Sequence, residues 1–220
     1  MLPPRLDMIA KRIHARCMAD IGTDHAFLPI RLLEQAQIEC AIATDVHAGP
    51  LAIAKSHVAD AGLDGRIDLR LGDGLAPLQA NEADVIVIAG MGGTQICAIL
   101  DTGRGAIGQA LLYLQPMNAQ YELRKWLLGH GFDIVGEDIG VEKHRVYNLI
   151  LARIQPTRLT FHMLDYHLPP YLKTHPCFDA LRAKKRREFQ KIIAGQRRAK
   201  QPDFELLQHY ETLLAQLERM

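Results

Sequence analysis

Short apolar segments that end in an acid or a glycine alternate with helical patterns along the first two thirds of the chain. Residues 17–22 and 41–45 have this form, and the segment 85–89 is apolar throughout, as in a strand buried on both faces. Strands that alternate with helices predict a largely parallel sheet with helices on both sides. The last predicted strands, 132–139 and 146–154, follow each other directly, so we expect an antiparallel pair at the sheet edge.

The remaining elements before residue 155 continue this alternation. Apolar residues at spacings of three and four mark the helices. In the second helix, Pro29 indicates a start near residue 29, because proline is tolerated in the first helical turn. The predicted helices are 5–15, 26–35, 50–61, 94–100 and 121–128, and the other predicted strands are 67–71 and 110–115. These elements predict one α/β domain over residues 1–155, of the doubly wound type that class I methyltransferases share with other proteins.

The C-terminal third has a different character. Residues 156–177 contain prolines but little periodicity and are predicted to be a connector. Apolar stripes within 178–220, the second of which begins at Phe204, predict two helices packed as an antiparallel, coiled-coil-like hairpin. Residues 182–200 hold nine basic residues and one acid, whereas residues 1–155 carry a net charge of −4. This asymmetry indicates a polyanionic partner, although a solvated helix face has the same composition.

The loop after the first predicted strand differs from a dinucleotide-binding loop. Such loops need the pattern Gly-x-Gly-x-x-Gly, so that the backbone can approach a pyrophosphate. Gly22 is present, but Asp24 takes the place of the second glycine and Phe27 that of the third. A carboxylate repels a pyrophosphate, whereas it tolerates the ammonium and sulfonium of S-adenosylmethionine, which has no phosphate. The loop therefore favours S-adenosylmethionine as the cofactor.

Acids also end the second and third predicted strands. Ligands of open parallel sheets bind at the carboxyl ends of the strands, where Asp45 can accept both ribose hydroxyls and Asp73 the adenine amino group. Each acid alone is also explained as a turn or helix cap, but acids at three successive strand ends favour a ligand. The predicted cofactor-binding residues are Asp20, Gly22, Asp45, Asp73, Gly74 and Gly90.

Cysteines and histidines form neither a disulfide pattern nor a metal-binding pattern. The cysteines are Cys17, Cys40, Cys97 and Cys177. Their wide separation fits a reducing compartment, and the irregular spacing of His162, His167 and His175 leads us to expect no metal. No apolar run has the form of a signal peptide or a membrane span, so we expect a cytoplasmic protein with no membrane partner.

The chain resembles the TrmK family, the bacterial tRNA (adenine-N1)-methyltransferases that act on position 22 of tRNA. The resemblance runs to about residue 154. Its segments are 19–29, 49–50, 72–74, 88–93 and 114–116. The first reads Ala-Asp-Ile-Gly-Thr-Asp-His-Ala-Phe-Leu-Pro and the fourth Ile-Ala-Gly-Met-Gly-Gly, a pair far more specific than a generic glycine loop.

The resemblance implies a Rossmann-like class I methyltransferase sheet, a coiled-coil-like C-terminal extension, S-adenosylmethionine as cofactor and tRNA as substrate. Two positions depart from the family pattern. Phe27 stands where many relatives have tyrosine, and Met117 interrupts a Gln-Pro-Asn pattern, so that Asn118 comes one place later. The Gly-Met-Gly-Gly segment also differs from the Asn/Asp-Pro-Pro-Tyr/Phe motif of many amino-methylating enzymes, which argues against methylation of the exocyclic amine.

Methylation at adenine N1 sets simple chemical requirements. The N1 atom has an in-plane lone pair, so no general base is needed before it attacks the sulfonium methyl. The reaction moves positive charge onto the purine, and catalysis therefore depends on in-line positioning and on negative potential near the base. We assign this potential to Asp24 and expect His25 to orient Asp24 or to stack on the base. The alternative is that Asp24 caps the following helix and His25 packs.

The basic run of the hairpin is predicted to clamp the RNA backbone, with binding that weakens steeply as salt is added. Its residues are Arg182, Lys184, Lys185, Arg186 and Arg187. Two other functions fit the same sequence. One is a methyltransferase for a small molecule or a protein, with a dimerising hairpin, and the other is a non-catalytic RNA-binding protein with a degenerate fold. The sequence leaves the oligomeric state open.

Overall fold

The structure is a computed structural model that describes residues 2–143, 145–156 and 160–220. Its strands are β1 (Cys17–Ile21), β2 (Cys40–Asp45), β3 (Ile67–Leu71), β4 (Val85–Met91), β5 (Leu111–Pro116), β6 (Phe132–Glu142) and β7 (Arg145–Ile154). They form one seven-stranded sheet in the order β3-β2-β1-β4-β5-β7-β6. The first five strands pair in parallel, whereas β7 is antiparallel to both β5 and β6. The predicted α/β sheet and its antiparallel edge pair are confirmed.

The helices cover both faces of the sheet. They are α1 (Pro4–Ala10), α2 (Phe27–Glu34), α3 (Ala48–Asp60), α4 (Gly93–Thr102), α5 (Arg104–Ile107), α6 (Gln120–Gly129), α7 (Phe178–Arg198) and α8 (Phe204–Glu218). In β4, Ile86 and Ile88 pack into the apolar cluster that contains α4 and α6, and Val85 and Val87 pack into the cluster with α1, α2 and α3. This alternation explains why the strand is apolar at every position.

The predicted first helix, 5–15, is too long, because α1 ends at Ala10. The side-chain amide of Gln37 donates to the carbonyl oxygens of Ala10 and Ile13, each at 2.9 Å. Tyr113 also donates its hydroxyl to the carbonyl oxygen of Arg12, at 2.9 Å. Tertiary hydrogen bonds therefore take the carbonyls at the end of the helix, and Ile13 is buried without helical continuation.

Other differences are confined to short elements. Helix α2 begins at Phe27, two residues before Pro29, because a proline in the first helical turn removes only an amide that has no intrahelical partner. Helix α5 was not predicted. Two 3₁₀ turns, Met163–Tyr166 and Pro170–Leu172, lie within the predicted connector. Connector residues 157–159 lie outside the described residues.

Helices α7 and α8 form the predicted hairpin, which packs against the edge of the sheet. Its apolar cluster joins Phe189 and Leu213 of the hairpin to Ile139 of β6 and Val146 of β7. Phe204 does not belong to this cluster and is 73% exposed, because it is the first residue of α8, directly after the Asp203 cap. The coiled-coil-like character and the division at residues 155 and 177 stay predictions.

A buried ion pair links helix α6 to β6 and to the connector. The guanidinium of Arg124 donates from Nη2 to Glu137 Oε2 at 2.6 Å, and both side chains are almost wholly removed from solvent. Arg124 Nη1 donates to the carbonyl oxygen of Tyr166 at 3.0 Å. Burial raises the pKa of Glu137, and Arg124 opposes this rise. The pair therefore holds the middle of the connector, at Tyr166, against α6.

Within the described residues, no helix combines the length and apolarity needed to cross a membrane. No three His, Cys, Asp or Glu side chains of the described chain converge as metal ligands would. The cysteines Cys17, Cys40, Cys97 and Cys177 are all free thiols.

Candidate cofactor and substrate site

A cleft of about 410 Å³ opens at the carboxyl ends of β1 to β4. It lies where the strand order reverses between β1 and β4, the position at which doubly wound sheets bind ligands. The cleft is lined by five of the six predicted cofactor-binding residues and by Asp24. These residues are Gly22, Asp24, Asp45, Asp73, Gly74 and Gly90. The sixth, Asp20, lies in an adjoining cavity.

Asp45 is the most firmly held acid of the cleft. The carboxylate of this buried residue accepts from the backbone amide of His47 at 2.9 Å through Oδ1. Its Oδ2 accepts from the backbone amide of Asp24 at 3.3 Å. Each carboxylate oxygen can accept a second hydrogen bond, so both remain available to a ligand in the cleft. Asp45 therefore offers a preoriented acceptor pair at the end of β2.

Asp73 lines the cleft after β3. It is exposed and lies between two glycines, and its backbone oxygen accepts from the amide of Ala76 at 3.0 Å. Gly74 follows with a φ of 52°, and a Cβ atom there would lie 3.1 Å from the side chain of Ile99. The backbone turn thus directs Asp73 to the cleft and leaves its carboxylate accessible.

Asp20 lies in an adjoining cavity of about 230 Å³, which shares Arg5, Gly22 and Asp24 with the cleft. Asp20 is only 6% exposed, and its carboxylate accepts from the hydroxyl of Thr23 at 2.7 Å. Burial raises the pKa of Asp20 to about 6, against the opposing effects of Thr23 and Arg5. A buried carboxylate of this kind is suited to a cationic ligand group, because attraction to the cation offsets the cost of removing the carboxylate from water.

Asp24 projects its carboxylate at the mouth of the cleft. Its side chain is 67% exposed, and its backbone has a φ of 57°. Helix α2 has Ala26 at its N-cap, with no side-chain hydrogen bond to the helix. The alternative that Asp24 caps this helix is therefore wrong. The carboxylate that we assign to catalysis is free to meet a substrate.

His25 is held by neighbouring rings beside Asp24. Its Nε2 lies 3.5 Å from Asp24 Oδ2, and its ring centroid lies 5.3 Å from that of Phe27 and 5.7 Å from that of His57. Its Nδ1 is buried without a hydrogen-bond partner among the described residues. The geometry brings His25 within reach of Asp24, and it also shows the packing that the alternative interpretation of His25 predicts.

Gly90, near the carboxyl end of β4, forms the floor of the cleft. Pairing with β5 shifts register between Ala89 and Met91, and Gly90 at this point has a φ of 80°. A Cβ atom on Gly90 would lie 3.2 Å from the guanidinium of Arg5. The amide of Gly90 donates to the side-chain oxygen of Gln115 at 3.1 Å. Glycine therefore lets the backbone and Arg5 approach closely at the floor.

The sequence interpretation missed Arg5, Gln115 and a role for Asn118. Arg5 lines both cavities, yet in the sequence it is one basic residue in a short helix. Gln115 is the second-last residue of β5 and accepts from the amide of Gly90, and the Gln-Pro segment of the family pattern was its signal. The side-chain oxygen of Asn118 would be 3.1 Å from a Cβ atom on Gly92. Although Met117 moves the asparagine one place along the chain, Asn118 therefore still lies beside the Gly-Met-Gly-Gly segment.

The predicted RNA-binding residues fall into two groups. Lys185 is only 5% exposed and its Nζ donates to Glu188 at 2.8 Å, so its prediction as a surface clamp is wrong. Its position follows from helical spacing, which places it on the buried face of α7, between Leu181 and Phe189. The other four are at least partly exposed. They are Arg182, Lys184, Arg186 and Arg187.

Three of the accessible basic residues have polar partners within the protein. Arg182 Nη2 lies 3.1 Å from Asp179, and Arg186 Nη2 lies 3.3 Å from Glu218. Lys184 donates to the carbonyl oxygen of Val146 at 3.3 Å. Exposed ion pairs of this kind contribute little to stability and exchange readily for another anion. The hairpin surface therefore keeps cations available to a polyanion.

Comparison with known proteins identifies the family of the chain. The family model TrmK, described as tRNA (adenine(22)-N(1))-methyltransferase, matches residues 18–218. The tRNA (adenine(22)-N(1))-methyltransferase of Bacillus subtilis is 38% identical over 153 residues, which are 69% of this chain and 64% of that protein. A protein of Mycoplasma pneumoniae described as a tRNA methyltransferase is 31% identical over 60% of this chain and 61% of its own length. The chain thus spans less than two thirds of these relatives in sequence.

Solved structures extend the similarity to the hairpin. The crystal structure of the Bacillus subtilis m1A22 tRNA methyltransferase TrmK has a TM-score of 0.88 and 29% identity, and covers 100% of this chain and 98% of that one. The Streptococcus pneumoniae protein Sp1610, in complex with S-adenosyl-L-methionine, has a TM-score of 0.85 and 32% identity, and covers 100% and 99%. The fold class expected from the sequence is confirmed. This chain belongs to the TrmK family of tRNA (adenine(22)-N(1))-methyltransferases.

Proposed function

We propose that this chain transfers the methyl group of S-adenosylmethionine to N1 of adenine 22 in tRNA. The observation that carries the proposal is the row of acids at the ends of β1, β2 and β3. Asp45 and Asp73 line one cleft, and Asp20 lies in the adjoining cavity. This arrangement suits a nucleoside with a cationic tail, and the family and the cofactor complex of its Streptococcus pneumoniae relative support it.

The cofactor would use the two cavities together. Asp45 accepts both ribose hydroxyls, and Asp73 accepts from the adenine amino group. The methionine end extends into the smaller cavity, where Asp20 meets the ammonium and Arg5 meets the carboxylate. Arg5 is the single Lys or Arg among the described residues that line either cavity, which favours it for the carboxylate.

Methyl transfer then needs one displacement at carbon. The N1 lone pair of the target adenine attacks the methyl carbon, the bond from sulfur to that carbon breaks, and its electron pair stays on sulfur. S-adenosylhomocysteine leaves as a neutral thioether, and the purine gains a positive charge. The exposed carboxylate of Asp24 stabilises this charge and accepts a hydrogen bond from the exocyclic amine. The Asp24 carboxylate is in turn oriented by His25.

The tRNA must present N1 on an unpaired or flipped-out base, since this atom lies on the Watson–Crick edge. The accessible cations of α7 bind the folded RNA backbone. They are Arg182, Lys184, Arg186 and Arg187. Binding through phosphates weakens steeply with added salt. We expect a protein that acts on tRNA to work in the cytoplasm.

The direct test is transfer of tritiated methyl groups to unmodified tRNA, followed by digestion and identification of the modified nucleoside. We expect 1-methyladenosine, and we expect tRNA with guanosine at position 22 to remain unlabelled. Labelling of a small molecule or a protein in place of tRNA would support a different methyltransferase. Failure of the protein to bind S-adenosylmethionine in calorimetry would support a non-catalytic RNA-binding protein.

Substitution of Asp45 should weaken the binding of S-adenosylmethionine without unfolding the protein. A hydrogen bond from a hydroxyl to a carboxylate is worth about 1.5–3 kcal/mol. Asparagine keeps one of the two acceptor oxygens, so Asp45→Asn should raise the Kd for S-adenosylmethionine about 10- to 150-fold. Calorimetry measures this change, with the melting temperature as a check on folding. Asp68→Asn, at an exposed carboxylate outside both cavities, is the matched control. A cofactor Kd that Asp45→Asn leaves unchanged would remove Asp45 from the ribose site.

Cofactor affinity should depend on pH through Asp20. The pKa of Asp20 is raised to about 6 in the free protein, so its carboxylate is ionised at pH 7.5 and mostly protonated at pH 5. The ammonium of the cofactor attracts only the ionised form. We therefore expect the Kd at pH 5 to be about tenfold higher than at pH 7.5. Asp20→Asn keeps an acceptor for Thr23 and should abolish most of this dependence, and an unaltered profile would contradict the assignment.

A further inference from the structure

A second pocket, of about 330 Å³, lies between the body of the protein and the hairpin. The loop from Met117 to Ala119 and the start of α6 form one wall, and α7 and α8 form the other. The proposed cofactor and catalytic residues lie elsewhere, since this pocket shares no lining residue with the cofactor cleft or the adjoining cavity. The pocket therefore needs an explanation of its own.

Aromatic rings form the inner wall of this pocket. The ring of His167 stacks on Tyr121, with centroids 4.6 Å apart, and meets Phe189 edge-on at 4.9 Å. The ring of Tyr210 lies 5.4 Å from that of Phe189. These rings come from α6, the connector, α7 and α8, so the pocket exists only when the hairpin is docked on the body. A flat aromatic ligand is the natural occupant of such a wall.

Polar groups surround the rings and include both donors and acceptors. The cation of Lys184 lines the pocket, and so does the ion pair of Lys185 with Glu188. His167 is 6% exposed, and its Nδ1 has no hydrogen-bond partner among the described residues. Burial lowers the pKa of His167 to about 3, so this ring is neutral. A neutral ring nitrogen, the carboxylate of Glu188 and the partly exposed cation of Lys184 match the edge of a nucleobase and its phosphate.

The position of the pocket relates it to the methyl-transfer site. The amide of Met117 donates to the carbonyl oxygen of Met91 at 2.8 Å, and Asn118 lies beside Gly92. The pocket is therefore at the end of β5, and the cofactor cleft reaches the end of the neighbouring strand β4, about 4.8 Å away. A single RNA strand that crosses this edge of the sheet can reach both.

We propose that this pocket receives an unpaired nucleotide of the tRNA next to the one that is methylated, with its base against the aromatic wall and its phosphate near Lys184. We assign the pocket to a neighbouring base, because the methylated base must reach the sulfonium methyl in the cofactor cleft, with which the pocket shares no lining residue. The proposal rests on the proposed function and adds a positioning role: the hairpin helps to build a substrate site in addition to binding the RNA backbone.

Protein variants at Tyr210 test the aromatic wall. Loss of one base–aromatic stack should lower kcat/KM for tRNA about tenfold in Tyr210→Leu, whereas Tyr210→Phe keeps the ring and should stay within about twofold of the unmodified protein. The Kd for S-adenosylmethionine should not change in either variant. Phe204→Leu is the matched control, since Phe204 lies on the same helix, is exposed and does not line the pocket. Equal losses in Tyr210→Leu and in either Tyr210→Phe or Phe204→Leu would overturn the proposal.

RNA variants identify the nucleotide. In separate RNAs, an abasic residue replaces the base immediately before or immediately after the target. At one of these positions we expect the abasic RNA to lower kcat/KM about tenfold for the unmodified protein but less than about twofold for Tyr210→Leu. If the losses from the abasic RNA and from Tyr210→Leu are fully additive at every position, the proposal is overturned. The proposed function still stands in that case, provided that intact tRNA is methylated. Absence of any methyl transfer by the unmodified protein would contradict the proposed function and this inference with it.

Discussion

Asp24→Asn should lower kcat for tRNA methylation about 100- to 1,000-fold, with less than about a threefold change in the Kd for S-adenosylmethionine. The carboxylate of Asp24 is exposed at the mouth of the cleft, whereas only its backbone amide contacts Asp45. Its negative charge therefore acts on the charge that develops on the purine. Single-turnover rates with saturating tRNA, together with calorimetry of cofactor binding, separate these two quantities.

Asparagine is the informative replacement at this position. Residue 24 has a φ of 57°, a conformation that asparagine and aspartate tolerate better than other residues with side chains. Asp24→Ala would add backbone strain to the loss of charge. Asp60→Asn, at the exposed end of α3 and outside both cavities, provides the matched control. Equal losses of turnover and cofactor affinity in Asp24→Asn would show that Asp24 shapes the cofactor site and has no separate role in the reaction.

Arg124→Leu should lower the free energy of unfolding by about 3–5 kcal/mol, because it leaves the buried carboxylate of Glu137 without its cation. Both side chains are almost fully buried, and three guanidinium-to-carboxylate hydrogen bonds of 2.6–3.1 Å join them. Arg124 also donates to the carbonyl oxygen of Tyr166, so its loss should loosen the connector and the hairpin. Urea unfolding measures the change in stability.

The double variant Arg124→Leu/Glu137→Leu is the matched comparison for this pair. It removes both charges and replaces them with apolar side chains, so most of the lost stability should return. The carbonyl of Tyr166 still loses its donor, and we expect tRNA kcat/KM to recover less fully than stability. A double variant as unstable as Arg124→Leu would show that the packing of Arg124, and not its charge pair, stabilises this junction.

The sheet and the cofactor cleft could be predicted from the sequence because their signals are local. The segment 85–89 is apolar at every position because its side chains pack alternately into the two apolar clusters of the sheet. Asp45 and Asp73 follow strands directly, and parallel strands bring such residues to one edge. The hairpin followed from helical periodicity in the same way.

The parts that could not be predicted depend on contacts between distant segments. Helix α1 ends at Ala10, where the distant residue Gln37 donates to the carbonyl oxygens of Ala10 and Ile13, and Arg5 reaches the cleft from this helix. Lys185 is part of a basic run in the sequence, but the docking of α7 buries it against the body. The pocket beside Tyr210 combines four segments that are far apart in the chain. No local pattern could reveal such a site.

A structure of this protein with bound S-adenosylhomocysteine tests the central claim most directly. We predict the ribose hydroxyls within about 3 Å of both oxygens of Asp45, the adenine amino group beside Asp73 and the amino acid group near Asp20 and Arg5. A cofactor bound outside the cleft, or with Asp45 and Asp73 turned away from its sugar and its base, would contradict the account.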